Sequence, residues 1–337
     1  MTATPTTLRH SRDIVTPALR AALDRLDETS RARAGYHLGW TTEDGEATAG
    51  GGGKAVRPAL ALLSARAAGA PAEAGLAGAV AVELVHNFSL LHDDVMDGDT
   101  LRRHRPTVWA VWGTASAILT GDALLALAQE VLLESGSAHA VAAGTLLASA
   151  TRELVRGQMQ DLAFEHRTDV TLDECLDMAA GKTGSLLSAS AAIGAVLAGA
   201  PDATTGALAT FGAQAGIAFQ IVDDLLGIWG DPAVTGKPRF SDLQARKKTL
   251  PMTYAAGRPG PAGERLTAWL AAGEKADEAG LAEIAALVVA AGGREWATEE
   301  ARRRLRLAES ALDAAPVPDA PRDELVALAR YLVNREA

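Results

Sequence analysis

Four carboxylates fall within Asp93-Asp94-Val95-Met96-Asp97-Gly98-Asp99. On a helix, Asp93 and Asp97 are one turn apart and point the same way. Like charges held so close call for a cation between them. Hard carboxylate oxygens suit Mg²⁺, which keeps some of its waters and completes its shell with substrate phosphates. A solvated acidic helix end is the plainer reading, but Leu90-Leu91 and Val95-Met96 embed these acids in an apolar stretch. A second pair, Asp223-Asp224, follows Phe219-Gln220-Ile221-Val222 and is equally apolar in its surroundings. Unpaired carboxylates there would be costly or would shift their pKa. Two such helices facing each other would hold several divalent ions across a diphosphate.

Cations accompany both motifs. Lys54 and Arg57 adjoin Gly51-Gly52-Gly53, and Arg102-Arg103 lie just past the first acids. Lys182-Thr183-Gly184 falls between expected helices, and Lys237 and Arg246-Lys247-Lys248 follow the second acids. Arginine offers a bidentate fork to phosphate and lysine a mobile point charge. Singly, each reads as a surface residue. The specific signal is acid alternating with base around two helical sites.

The elements that must position these groups read as helices almost throughout, because apolar residues recur at helical spacing without strand-like alternation. The periodicity predicts helices at 14–33, 58–69, 73–97, 107–114, 116–135, 138–165, 172–180, 183–199, 203–230, 241–256, 263–273, 277–291, 293–313 and 321–335. Pro58 suits a first helical turn, where its missing N–H costs nothing. Residues 41–53 read as a glycine-rich loop, and breaks fall at 231–239, 257–263 and 314–321. No repeat or linker divides the chain. The expectation is a disordered tail over 1–13 and one all-α domain over 14–337.

Composition narrows the function. Hydrophobic residues at 48% allow a large core, and a net charge of −10 weighs against a nucleic-acid partner. The lone cysteine, Cys175, excludes an internal disulfide and fits a reducing, cytoplasmic setting. The first thirteen residues lack the apolar core of a secretory signal. The uncharged stretches 183–200 and 203–222 are long enough to span a membrane. Their Ala, Gly, Ser and Thr content makes them buried core helices instead, so no membrane span is expected.

In order along the chain, these motifs resemble the trans-isoprenyl diphosphate synthase (polyprenyl synthetase) family. The resemblance runs from about Tyr36 to Asn334-Arg335. It rests on Glu83-Leu-Val-His-Asn-Phe-Ser-Leu-Leu-His-Asp-Asp-Val-Met-Asp97, Arg102-Arg103-x-x-Pro106, Gly157-Gln158-x-x-Asp161 and Lys182-Thr183-Gly184. Phe219-Gln220-x-x-Asp223-Asp224, Gly236-Lys237-Pro238 and Lys247-Lys248-Thr249-Leu250-Pro251 complete it. The bacterial short-chain, geranylgeranyl-type group is the most similar.

The resemblance implies a single-domain helical bundle of the isoprenoid synthase type, with a central cavity between two Asp-bearing helices, acting as a homodimer. Three Mg²⁺ ions would bind with substrate, on Asp93 and Asp97, with Asp94 in support, and on Asp223, with Asp224 nearby. Arg102, Lys182, Gln220, Lys237 and Lys247 would hold an allylic prenyl diphosphate. Lys54, Arg57, His86 and Arg103 would hold isopentenyl diphosphate. Oxygens of Thr183 and Gln158 would stabilise the carbocation left when the allylic C–O bond breaks. The isopentenyl double bond would attack that cation, and the released diphosphate would take the final proton.

Chain length should depend on the floor beneath Asp93. Ser89, one turn earlier, lies roughly 6 Å deeper. With Phe88 beside it, the floor resembles a geranylgeranyl type, so a C20 product is expected, with C15 the alternative. Three positions depart from the family pattern: Gly227 where the second motif ends in Asp, Ala55 where Arg is common, and Arg239-Phe240 where a small residue and Gly are usual. A terpene cyclase of the same fold would need no isopentenyl site. A noncatalytic regulatory subunit would not keep all three of Asp93, Asp94 and Asp97.

Overall fold

The computed structural model describes residues 5–48, 53, 55–232, 238–272 and 276–334. Among them the helices run α1 (Thr6–Leu23), α2 (Glu28–His37), α3 (Val56–Ala67), α4 (Leu76–Met96), α5 (Val108–Trp112), α6 (Thr114–Leu133), α7 (Ala140–Glu165) and α8 (Leu172–Ala179). A π-helical turn, Ala180–Gly184, leads into α9 (Ser185–Leu197), followed by α10 (Asp202–Trp229), α11 (Ser241–Gln244), α12 (Leu250–Ala256), α13 (Pro261–Ala272), α14 (Glu278–Ala290), α15 (Gly293–Ala311) and α16 (Asp319–Val333). The all-α expectation holds, with one small addition. Strands β1 (Leu101–Arg102) and β2 (Arg105–Pro106) form an antiparallel hairpin.

Two compact units are distinguished: 1–151 with 189–209 and 312–328, and 152–188 with 210–311 and 329–337. In the first, α3 is buried on nearly every face, from Pro58 to Ala65. It lies beside α4, whose Val80, Val82, Leu84, Val85 and Leu91 are buried. Small residues set the spacing. A Cβ on Gly194 would sit 2.0 Å from the Ala61 carbonyl oxygen, so only glycine permits that crossing. In the second unit, apolar clusters form among the described residues. One contains Phe164, Cys175, Ile217, Ile221 and Leu225, and another Ile228, Phe240, Leu243, Met252 and Val288.

Several boundaries differ from the sequence expectation. The N-terminal helix begins at Thr6, inside the expected tail, because Leu8, Ser11, Val15, Leu19 and Ala22 form a buried stripe. The expected helix 14–33 breaks after Leu23. There Asp27 caps α2, its carboxylate accepting from the Thr29 and Ser30 N–H groups at 3.0 and 3.1 Å. The expected helix 241–256 is interrupted where Arg246 turns left-handed at φ 52°. Pro58 lies in the first turn of α3, as expected.

Among the described residues, three helical stretches are long and apolar enough to cross a membrane: Ala72–Met96, Thr114–Leu133 and Asp202–Trp229. The apolar windows of the first and third are 72% and 56% buried, and that of Thr114–Leu133 only 39%.

Candidate active site

In the first unit, α4 carries the first acids and His86, Arg57 lies at the start of α3, and Arg102 and Arg103 lie on the hairpin. Asp93 is partly buried and Asp97 exposed, one turn apart at the end of the helix. Asp94 points elsewhere. It is 1% exposed, and Arg102 grips its Oδ1 through Nε at 2.8 Å and Nη2 at 2.6 Å, leaving Oδ2 without a partner. Burial raises the Asp94 pKa, with Arg102 opposing the shift. Asp94 is thus paired with Arg102, on a different side of the helix from Asp93 and Asp97.

The hairpin explains how the arginines are presented. Arg103 and His104 form its turn with φ of 52° and 63°. A two-residue hairpin loop needs both in the left-handed region, which usually selects Asn-Gly. Each non-glycine residue there costs about 1–2 kcal/mol, strain that tends to gather at functional sites. Arg105 is a tie. It donates to the Thr41 and Tyr36 carbonyl oxygens at 2.7 and 3.3 Å and lies 4.2 Å over the Tyr36 ring. The Tyr36 hydroxyl in turn donates to the Pro106 carbonyl oxygen at 2.8 Å. Arg103 is turned toward Gly53, whose backbone leaves it room: a Cβ there would lie 3.1 Å from Nη2. A cavity of 180 Å³ is lined by His37, Asp94, Arg102, Arg103 and Arg105.

Deeper along α4, Glu83, His86 and Asn87 share a face. Asn87 donates to the Glu83 carbonyl oxygen at 2.8 Å and to its carboxylate at 3.3 Å. Burial raises the Glu83 pKa, while nearby Arg57 opposes it. Burial lowers Arg57 to about 10, and its Nε has no hydrogen-bond partner. Burial and then Arg57, Arg103 and Arg102 drive His86 well below its ordinary range, so its imidazole is neutral. Arg57, Arg102 and Arg103 thus lie near His86. His37, Glu83, Asn87 and Arg105 were missed as site residues. Glu83 and Asn87 could have been found one turn apart around His86.

In the second unit, a backbone contact sets the geometry. A Cβ on Gly157 would lie 2.2 Å from the Lys182 nitrogen, so α7 touches the π turn directly. The sequence placed Lys182-Thr183-Gly184 between helices; these residues lie instead within a π turn, which redirects side chains and is frequent at functional sites. Lys182 Nζ donates to Asp161 Oδ2 at 2.5 Å. Thr183 Oγ1 donates to Gln220 Oε1 at 2.6 Å, and Gln220 Nε2 donates to Asp224 Oδ1 at 2.9 Å. The Leu250 N–H at the start of α12 donates to Asp224 Oδ2 at 2.8 Å. Asp224 is buried and its pKa is pushed up to about 7, by burial first, with Asp242 and Asp223 adding to it. Asp223, by contrast, is exposed. Gln158 is 6% exposed, and neither polar atom of its amide has a partner. Lys247 is exposed, whereas Lys54 and Lys237 lie outside the described residues.

Among the described residues no three His, Cys, Asp or Glu side chains form a closed metal cage. An ion on Asp93 and Asp97, or on Asp223, would take its other oxygens from water and phosphate. That donor set suits Mg²⁺.

The polyprenyl synthetase family pattern matches residues 39–288. The chain belongs to that family. A (2E,6E)-farnesyl diphosphate synthase of Mycobacterium tuberculosis is 53% identical over 330 residues, covering 97% of this chain and 92% of the relative. A geranylgeranyl diphosphate synthase of the same organism is 44% identical over 331 residues, covering 98% and 93%. A polyprenyl synthetase structure from Streptomyces coelicolor A3(2) superposes with a TM-score of 0.94 at 53% identity, covering 98% of this chain and all of that one. The fold is the isoprenoid synthase fold, and the protein is a prenyl-transferring enzyme, a trans-isoprenyl diphosphate synthase.

Proposed function

We propose that one isoprenyl diphosphate synthase domain over 14–337 condenses isopentenyl diphosphate with allylic diphosphates, head to tail, to C20 geranylgeranyl diphosphate. The observation that carries the elongation is the Arg57, His86, Arg102 and Arg103 cluster, since a cyclase has no second diphosphate to hold. Asp93, Asp97 and Asp223 would hold three Mg²⁺ ions with substrate bound. When bound, these ions offset charge growing on the departing diphosphate. Arg102, Lys182, Gln220, Lys237 and Lys247 grip that group, and Lys54, Arg57, His86 and Arg103 hold the isopentenyl diphosphate. Because Thr183 donates its proton to Gln220, its oxygen presents lone pairs to the allylic cation. Gln158 adds a second oxygen. Apolar helix walls keep water from quenching the cation.

The length assignment rests on α4. The Phe88 ring packs edge-on against His92, 4.8 Å between centroids, and His92 reaches the Ile118 carbonyl oxygen on α6 at 3.0 Å. Phe88 is thus engaged toward α6. The stripe beneath Asp93 holds Ser89, whose hydroxyl is folded back onto the His86 carbonyl oxygen at 2.9 Å. That favours an open floor. The 53% identity to a farnesyl diphosphate synthase favours C15.

The exposed apolar residues Ile118, Leu119, Leu133 and Val141 support a homodimer through this face, and the lone buried thiol supports a cytoplasmic setting. The test is incubation with Mg²⁺, isopentenyl diphosphate and dimethylallyl, geranyl or farnesyl diphosphate, with products dephosphorylated and weighed by mass spectrometry. A linear C20 alcohol is expected. An arrest at C15 refutes the floor, and a cyclic hydrocarbon from a starter alone refutes elongation. Ser89→Phe should shift the product one or more isoprene units shorter, and an unchanged distribution counts against Ser89.

A further inference from the structure

Two of the three departures from the family pattern meet at one point. Gly227 lies one turn after Asp223 on α10, so a side chain there would join the metal-facing stripe. That space is taken. A Cβ on Gly227 would lie 2.0 Å from Asp242 Oδ2, 2.3 Å from its Cγ and 2.8 Å from Oδ1. The intruding group is itself a carboxylate.

The second departure holds it there. Phe240 starts α11 in the left-handed region, φ 63°, where a β-carbon is strained and glycine is the usual choice. Its side chain is only 4% exposed, buried with Ile228, Leu243 and Met252. Burial of a large ring offsets the backbone strain and fixes the turn. From that anchor the Ser241 hydroxyl donates to the Gly227 carbonyl oxygen at 3.3 Å, which seats the start of α11 on α10.

We infer that Asp242 supplies the third carboxylate of the second acidic stripe, in place of a side chain at 227, and that buried Phe240 anchors it. The ligand is a divalent cation shared with a diphosphate. Gly227 is then the residue that makes room for a carboxylate from another element, and the acid count of the stripe is preserved. The inference rests on the proposed reading of Asp223 as a metal-facing acid.

The test measures ions rather than turnover. Mn²⁺ is titrated by electron paramagnetic resonance into the full chain with inorganic pyrophosphate, and Asp223→Asn marks the ions belonging to this stripe. Asp242→Asn, nearly isosteric, should weaken those ions tenfold or more while the melting temperature holds. The relocated pair Gly227→Asp/Asp242→Ala should bind within about threefold of the unmodified chain, and Asp242→Ala alone should not. Unchanged Mn²⁺ affinity in Asp242→Asn, or no recovery in the relocated pair beyond Asp242→Ala, overturns the inference. If the unmodified chain takes up no Mn²⁺, or Asp223→Asn changes nothing, the reading of the stripe falls, and the inference with it.

Discussion

Replacing Gly157 by alanine tests whether the contact between α7 and the π turn sets catalytic geometry. The added Cβ would meet the Lys182 nitrogen at 2.2 Å, and the Gly181 carbonyl carbon and Lys182 Cα at 2.8 Å. All three are backbone atoms, so no flexible side-chain end can swing away. Gly181 is equally constrained, since its own Cβ would lie 2.9 Å from the Glu153 carbonyl oxygen. Restoring ordinary contact at about 3.5 Å requires the backbones to part by roughly 1.3 Å. Lys182 and Thr183 would move with the turn, away from Asp161 and Gln220. Overpacking of this kind costs about 1–3 kcal/mol, and a misplacement of about 1 Å at reacting groups costs on the order of 100-fold in rate. Steady-state condensation with labelled allylic diphosphate should show kcat about 100-fold lower, and thermal melting a drop of a few degrees. A stability loss with kcat kept within threefold would make the contact structural only and refute the link to catalysis.

Asp224→Asn should stabilise the metal-free protein in a pH-dependent way. The folded Asp224 keeps its proton to about 7, whereas in the unfolded chain it ionises near 3.8, so stability falls as pH rises through that window. Asparagine escapes this loss, and its advantage in melts should grow from pH 4 to pH 7 and then level off; a constant offset would contradict the burial argument. His37 has the opposite sign. Burial, then Arg102 and Arg103, hold its pKa at about 3 against 6.5, so acid below 6.5 should cost stability that His37→Gln recovers. Equal acid sensitivity of the two proteins would refute it. Leu119→Lys with Val141→Lys, at residues 66% and 71% exposed, should give a monomer by sedimentation, and an unchanged mass would place the partner elsewhere.

Periodicity located most helices because apolar stripes are local: α4, α6, α7 and α10 each fall within a few residues of expectation. It missed the start of α1, where polar residues around Leu8 mask the stripe. It could not see the π turn, which lies against Gly157, remote in sequence. Site residues were legible where acids and bases share a helix with apolar neighbours, as with Asp93, His86 and Asp223. His37 was not, because it meets Arg102 and Arg103 from α2, far from them in sequence. Gly227 read as a lost acid, since nothing in the order of residues brings Asp242 onto it.

The first unit shows why an anion site must be built slightly discontented. Arg57, Arg102, Arg103 and Arg105 are brought together with few internal acids. Asp94 binds Arg102, and Glu83 lies near Arg57 and Arg103 with its own pKa raised by burial. Had His37 and His86 been protonated, six cations would crowd one helix face; burial keeps both neutral. The lowered pKa of Arg57 and Arg103, due first to burial, records charge waiting without full solvation. A diphosphate entering there would bring the missing counter-charge and could satisfy orphaned donors such as Arg57 Nε. Binding and relief of desolvated charge are then one event. The neutral histidines add donors without adding repulsion, and Glu83, its pKa raised by burial, is the acid placed near Arg57 and Arg103.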